Sequence, residues 1–109
     1  MRYVKVLATD ELPEGGKRKV ELEGKTLLMT RIGGACYAID NRCPHMGGSL
    51  YDGQLKGDTV SCPRHGTAFS VKTGKVRQNG RIAFIRLRVA DVKAYPVQEK
   101  NGEIRIGVD

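Results

Sequence analysis

Tryptophan is absent from this chain, histidine occurs twice and cysteine three times, and 12 acidic residues face 19 lysines and arginines. Each scarcity narrows the reading. Three cysteines cannot all pair within one chain, and a small secreted domain stapled by disulfides would carry a larger, even set. Metal binding is therefore the better question. No apolar run approaches the roughly 18 to 20 residues needed to cross a bilayer, and Met1-Arg2-Tyr3-Val4-Lys5 leads into no signal-peptide core. The expectation is a cytoplasmic protein with no membrane role. Although the net charge of +7 favours acidic partners, interleaved stacking aromatics and a recognised nucleic-acid motif are missing, which argues against nucleic acid.

What is present is a chain of 109 residues, one domain's worth, with 39% hydrophobic residues and 14 glycines, about twice the usual glycine share of roughly 7%. Glycine punctuation leaves strand-length pieces. Apolar and charged residues alternate with period two in Val20-Glu21-Leu22, in Ile85-Arg86-Leu87-Arg88-Val89 and in Ile104-Arg105-Ile106-Gly107-Val108, the pattern of half-buried strands. Gly33-Gly34 and Asn101-Gly102 supply residues that readily take positive φ, which predicts two tight hairpins. The one helical hint, Ala8 to Leu12, is stopped within a turn by Pro13 and Gly15-Gly16. These features predict an all-β fold of antiparallel sheets in a single domain, residues 1–109.

Residues 41–70 break the strand pattern with a density of Cys, His, Pro and Gly. Two loops stand out there, Cys43-Pro44-His45-Met46-Gly47-Gly48 and Cys62-Pro63-Arg64-His65-Gly66-Thr67, each offering a thiolate and an imidazole, with 16 residues between His45 and Cys62. Both histidines of the chain are used. One such pair is weak evidence; two, each followed by glycine that lets the backbone close on an ion and stiffened by proline, are far stronger. Two thiolates and two imidazoles also satisfy a tetrahedral zinc site, although zinc modules usually pair like ligands. A Cys-His catalytic pair would be duplicated without purpose and has no orienting third group.

These residues resemble the Rieske iron-sulfur motif, Cys-x-His followed by Cys-x-x-His, and the length, the β character and a Tyr95-Pro96-Val97 strand before a final hairpin resemble the small stand-alone Rieske ferredoxins. The resemblance implies a Rieske fold with a small cluster-binding subdomain of loops and short strands at residues 41–76, and a 2Fe-2S cluster held by Cys43, His45, Cys62 and His65. Cys43 and Cys62 would bind one iron, His45 and His65 the other. It also implies a one-electron carrier between a reductase and a terminal oxygenase or similar enzyme, not an enzyme itself: no spare histidine exists for a mononuclear iron, and the chain is too short for a second domain. A small Rieske subunit fixed in a larger reductase is the alternative, followed by a zinc-stabilised interaction module.

The same resemblance places Gly48 and Arg64 where high-potential Rieske proteins carry two extra cysteines, so no such disulfide forms here. Thr67 and Phe69 stand where those proteins place hydroxyl donors to the cluster sulfurs, and Phe69 cannot donate. Fewer hydrogen bonds to sulfur lower the potential, toward roughly −150 mV. Met46 and Leu50 are expected to screen the cluster, and Cys36, in Ala35-Cys36-Tyr37, is expected to be a buried small hydrophobe. The segment 78–84 lacks the proline that usually marks a third wall of the site. Finally, Lys72, Lys75, Arg77, Arg81, Arg86 and Arg88 occur without one acid among them, a candidate docking strip for acidic redox partners.

Overall fold

The computed structural model describes residues 1–44, 47–64, 66–79, 81–82, 85–86 and 90–109, with backbone alone at 81–82 and 85–86. Thirteen strands follow one another among the described residues: β1 (Arg2–Ala8), β2 (Lys17–Leu22), β3 (Lys25–Ile32), β4 (Ala35–Asp40), β5 (Gln54–Lys56), β6 (Thr59–Ser61), β7 (Ala68–Ser70), β8 (Val76–Gln78), β9 (Arg81–Ile82), β10 (Ile85–Arg86), β11 (Ala94–Tyr95), β12 (Val97–Lys100) and β13 (Glu103–Val108). All pairings are antiparallel. They form sheets ordered β11-β4-β3-β2, β1-β13-β12 and β5-β6-β7-β8, with β9 and β10 as a separate two-stranded sheet. Among the described residues no helix is long and apolar enough to cross a membrane.

Both expected hairpins form. Gly33 and Gly34 take φ of 62° and 86°, and Asn101 and Gly102 take 55° and 75°; two consecutive positive φ angles give the turn whose twist matches the strands. Glu23-Gly24 makes a third turn of the same hand between β2 and β3, at 51° and 80°. The helical hint reduces to a 3-10 turn, Thr9–Glu11, followed by the fully buried Leu12.

The middle sheet has two buried faces. On β3, Leu27 and Met29 join Cys36, Ala38, Leu7, Ile104 and Ile106 in one core, between this sheet and β1-β13-β12. Leu28 and, on β4, Ile39 point the other way into a second core with Leu50, Val60, Phe69, Val71 and Val92. Leu28 is paired directly with Ile39. A strand covered on both faces loses its alternation, which is why Lys25–Ile32 shows no period of two in sequence. Burial of each large aliphatic side chain in these cores contributes about 1.5–3 kcal/mol.

The chain changes sheets at Pro96. β11 pairs with β4 and β12 pairs with β13, and Pro96, which has no N–H for a ladder, accepts from Gly107 N–H at 2.9 Å between them. Arg31 pins the first core from the side. Its guanidinium donates to the Glu99 carboxylate at 2.6 and 3.1 Å and to the Leu12 carbonyl at 2.6 Å, tying β3 to β12 and to the N-terminal turn.

Candidate metal centre

The first loop leaves the middle sheet through Asn41, which is buried and fully engaged. Its amide N–H donates to the Thr26 carbonyl at 3.0 Å, its carbonyl accepts from Leu50 N–H at 2.8 Å, its Nδ2 donates to Ser49 Oγ at 2.9 Å and its Oδ1 accepts from Tyr51 N–H at 2.8 Å. Asn41 thus closes the neck of the loop, next to a bridge between Arg42 and Ser49. Lys17 braces the neck from β2: its Nζ donates to the carbonyls of Tyr51 and Gly53, both at 2.7 Å, and lies 5.3 Å from the Tyr51 ring centre. Neither residue was singled out from sequence. A second polar residue after Ile39, following Asp40, was the available signal for Asn41; Lys17 offered none.

Within that neck, Cys43 N–H donates to the Gly48 carbonyl at 2.8 Å, and Gly47 N–H donates back to the Cys43 carbonyl at 2.8 Å. The second loop, between β6 and β7, repeats the wiring. Cys62 N–H donates to the Thr67 carbonyl at 2.7 Å, and Gly66 N–H to the Cys62 carbonyl at 3.2 Å. In both loops the residue four after the cysteine has positive φ, 68° at Gly47 and 76° at Gly66, a conformation that glycine adopts without steric cost. Each cysteine therefore has its backbone fixed in the same way on a separate loop.

The loops touch at Gly48. A Cβ there would lie 3.1 Å from Cys62 Sγ and 3.4 Å from Arg64 Cδ, so a side chain at this position would require the second loop to give by a few tenths of an ångström. Gly48 and Arg64, the two positions that the resemblance matches to a disulfide, face one another here: the arginine stem lies 3.4 Å from where a Cβ on Gly48 would stand. Cys43 and Cys62 are 0% and 3% exposed and belong to the second core, with Leu50 and Phe69 also at 0%. His45, His65 and Met46 lie outside the described residues. The expected ligands are thus placed for the two thiols, which the fold brings to one core from two loops.

This setting fits a 2Fe-2S group better than it fits ordinary packing. Thiols sealed in apolar surroundings stay protonated and inert, yet here two of them sit on loops whose backbone groups are tied and whose glycines clear space. Two ferric ions, two sulfides and two thiolates sum to zero charge, so such a unit is buried without the large cost of an isolated ion. Cys36 shows the contrast. Also buried, it lies in the ladder of β4, its thiol donates toward Glu99 Oε1 at 3.8 Å, and burial pushes its pKa up, which agrees with an inert packing role.

Leu50 and Phe69 fill the core beneath the loops, and Thr67 is buried. Within the segment without proline, β9 pairs with β10 just beyond it, while Gly80, Ala83, Phe84 and residues 87–89 lie outside the described residues. The basic strip is partly neutralised by residues remote in sequence. Arg77 donates to Asp58 at 3.3 and 3.4 Å; desolvation pushes the Asp58 carboxyl up, but Arg77, Thr59 and Lys72 together hold it below its usual range. Asp91 accepts from Val76 N–H at 2.8 Å. At the base of the first loop, Tyr95 OH donates to Asp40 at 2.7 Å, and burial together with that bond raises the Tyr95 pKa.

The chain matches the Rieske [2Fe-2S] domain family over residues 2–96. It is 32% identical to the ferredoxin component of a naphthalene 1,2-dioxygenase system of Pseudomonas putida, covering 100% of this chain and 96% of that one. It is 37% identical to the ferredoxin subunit of a 3-phenylpropionate/cinnamic acid dioxygenase of Photorhabdus laumondii, covering 99% and 96%. In three dimensions it superposes on the ferredoxin of carbazole 1,9a-dioxygenase from Nocardioides aromaticivorans with a TM-score of 0.84 at 28% identity, each chain covered in full. Two equivalent cysteine loops over a shared core, and likeness along nearly the whole length, lead to one assignment: the chain belongs to the Rieske [2Fe-2S] domain family, whose cofactor is a 2Fe-2S cluster.

Proposed function

We propose that this protein is a Rieske ferredoxin, an electron carrier that is not itself an enzyme and that passes single electrons from a reductase to a terminal oxygenase. The observation that carries this reading is end-to-end similarity to ferredoxin components of dioxygenase systems. A solved complex of reduced oxygenase and oxidised ferredoxin from carbazole 1,9a-dioxygenase contains a chain of the same fold, with a TM-score of 0.79 at 31% identity over 95% of this chain and 91% of that one. Cys43 and Cys62 would hold one iron, His45 and His65 the other. The bound cluster supplies reversible uptake and release of one electron. In this reading residues 1–109 are one domain and 41–76 its cluster-binding subdomain.

The chain's own residues have three tasks. Asn41 and Lys17 brace the first loop, and the repeated backbone bonds fix both cysteines, so that a change of charge meets a framework already in place. Leu50 and Phe69, fully buried, exclude water from below. Pro44, Gly47, Pro63 and Gly66 are exposed and bulk-poor, so a partner can approach the loops closely from outside.

An anaerobic potentiometric titration tests the reading. With no disulfide between positions 48 and 64 and with Phe69 in place of a hydroxyl donor, the holoprotein should titrate as a one-electron couple near the lower end of the Rieske range, about −150 mV. It should also purify as a separate protein. A midpoint well above zero, or recovery only in a stoichiometric complex with a reductase, would contradict it.

A further inference from the structure

Seven arginine side chains are described, and five of them are neutralised within the chain: Arg2 by Glu23, Arg18 by Glu11, Arg31 by Glu99, Arg77 by Asp58 and Arg105 by Glu103. Among the described residues Arg42 and Arg64 have no carboxylate partner, and they are the two that sit on the cysteine loops. Both are exposed. Neither loop carries an acid anywhere in Arg42 to Gly48 or Cys62 to Thr67.

Glycines leave room for both. A Cβ on Gly47 would lie 3.4 Å from an Arg42 terminal nitrogen and 3.5 Å from its Nε, and one on Gly48 would lie 3.4 and 3.5 Å from Cδ and Cγ of Arg64. Each side chain thus passes over backbone that carries no side chain of its own. Two open clefts of about 310 and 530 Å³ meet at Arg42, the first also bounded by Lys19, the second by Lys25 and Pro44. Glu21 and Asp40 border the same clefts; each accepts a bond only from a neutral hydroxyl, of Thr26 at 2.7 Å and of Tyr95 at 2.7 Å, and so keeps its charge. Lys19, Lys25 and Arg42 outnumber these two carboxylates along the clefts, and the net charge at this rim is positive.

We propose that Arg42 and Arg64 form a two-point docking clamp for the acidic surface of a protein redox partner, with partner carboxylates entering the clefts beside Arg42. Planar guanidinium groups suit this task because they bind carboxylates through two parallel hydrogen bonds and are weakly hydrated. The clamp, not the strip at residues 72–88 where Arg77 is already paired, then steers the encounter. The proposal rests on the electron-carrier reading, and the test separates the two. Only an electron crosses: the reduced cluster is oxidised and a ferric haem reduced, with no bond made or broken.

The experiment follows oxidation of the reduced holoprotein by stopped flow, with two haem acceptors of opposite surface charge, acidic cytochrome b5 and basic cytochrome c. The rate with cytochrome b5 should fall as salt rises. Arg42→Glu with Arg64→Glu should lower it at low salt by about tenfold and raise the rate with cytochrome c. Lys5→Glu with Lys100→Glu, the same change of net charge on the β1-β13-β12 sheet, should alter both by less than about twofold. If the reversed pair does not load a cluster, Arg42→Gln with Arg64→Gln carries the test, with a loss of about threefold. Equal effects of the loop pair and the remote pair, or no effect of either, would overturn the clamp while leaving the carrier reading intact. A wild-type protein that takes up no electron would overturn the carrier reading instead.

Discussion

The two hydrophobic cores share the middle sheet as a common wall and differ in what closes them. The first, around Leu27, Met29, Ile104 and Ile106, is sealed by two sheets and an Arg31–Glu99 clamp. It is complete as polypeptide. The second, around Leu28, Ile39, Val60 and Phe69, ends in two cysteine loops, and in the proposed reading a cofactor completes it. Both contain buried thiols, so burial alone does not tell a ligand from a filler. What distinguishes them is the backbone: Cys36 lies in a regular ladder, whereas Cys43 and Cys62 each close a loop with an identical pair of hydrogen bonds around a left-handed glycine.

The largest effect should come from exchanging the thiols. Cys43→Ser or Cys62→Ser, and equally His45→Ala or His65→Ala, should abolish the visible absorption of the cluster, whereas Cys36→Ser should retain it in full. Loss of colour in the Cys36 variant alone would invert the assignment of the two cores.

Removing iron from the wild-type protein should sharpen the comparison next. Because metal binding contributes to folding wherever the site does not pre-exist in the unfolded chain, amides of Val60, Phe69 and Val71 should lose hydrogen-exchange protection by about a hundredfold or more. Those of Leu27, Met29, Ile104 and Ile106 should change by less than about tenfold. Uniform loss across both cores would mean that they do not differ in the way described.

Smaller effects concern the polar braces. Asn41→Ala leaves Tyr51 N–H without its acceptor near the core, so it should cost about 1–3 kcal/mol in denaturant unfolding and speed loss of iron to a chelator. Asn41 is a positioning residue, and an unchanged rate of iron loss would reduce it to a structural one. In the first core, the hydrogen bond from Arg31 outweighs desolvation and holds the Glu99 carboxyl below its ordinary 4.5. A carboxyl depressed in the folded state contributes stability that is present above its unfolded pKa and lost as pH falls through the folded one. Glu99→Gln should therefore cost about 1–2 kcal/mol near neutrality, and the difference from wild type should shrink below about pH 4.5.

The cysteine loops were legible in sequence because their chemistry is local: thiolate, imidazole, proline and glycine lie within six residues of one another. The last hairpin was legible for a similar reason, since alternation in Ile104 to Val108 and the turn at Asn101-Gly102 need no distant partner. β3 was not, because a second core covers its other face and erases the alternation. Asn41 and Lys17 escaped notice because what they hold is set by the fold. Lys17 reaches carbonyls 34 and 36 residues away, and Arg31 meets a carboxylate 68 residues on. The partial neutralisation of the basic strip was hidden for the same reason, for Asp58 meets Arg77 only once β6, β7 and β8 are laid side by side.

The central claim is that the second core is closed by an iron-sulfur group on two cysteine loops. Iron, acid-labile sulfide and zinc analysis of the purified protein, together with the EPR spectrum after reduction, tests it most directly. The account predicts iron and sulfide in equal amounts, two of each per chain as the 2Fe-2S formula requires, and a rhombic signal that appears on reduction. One zinc per chain, no sulfide and a colourless, EPR-silent protein would contradict it.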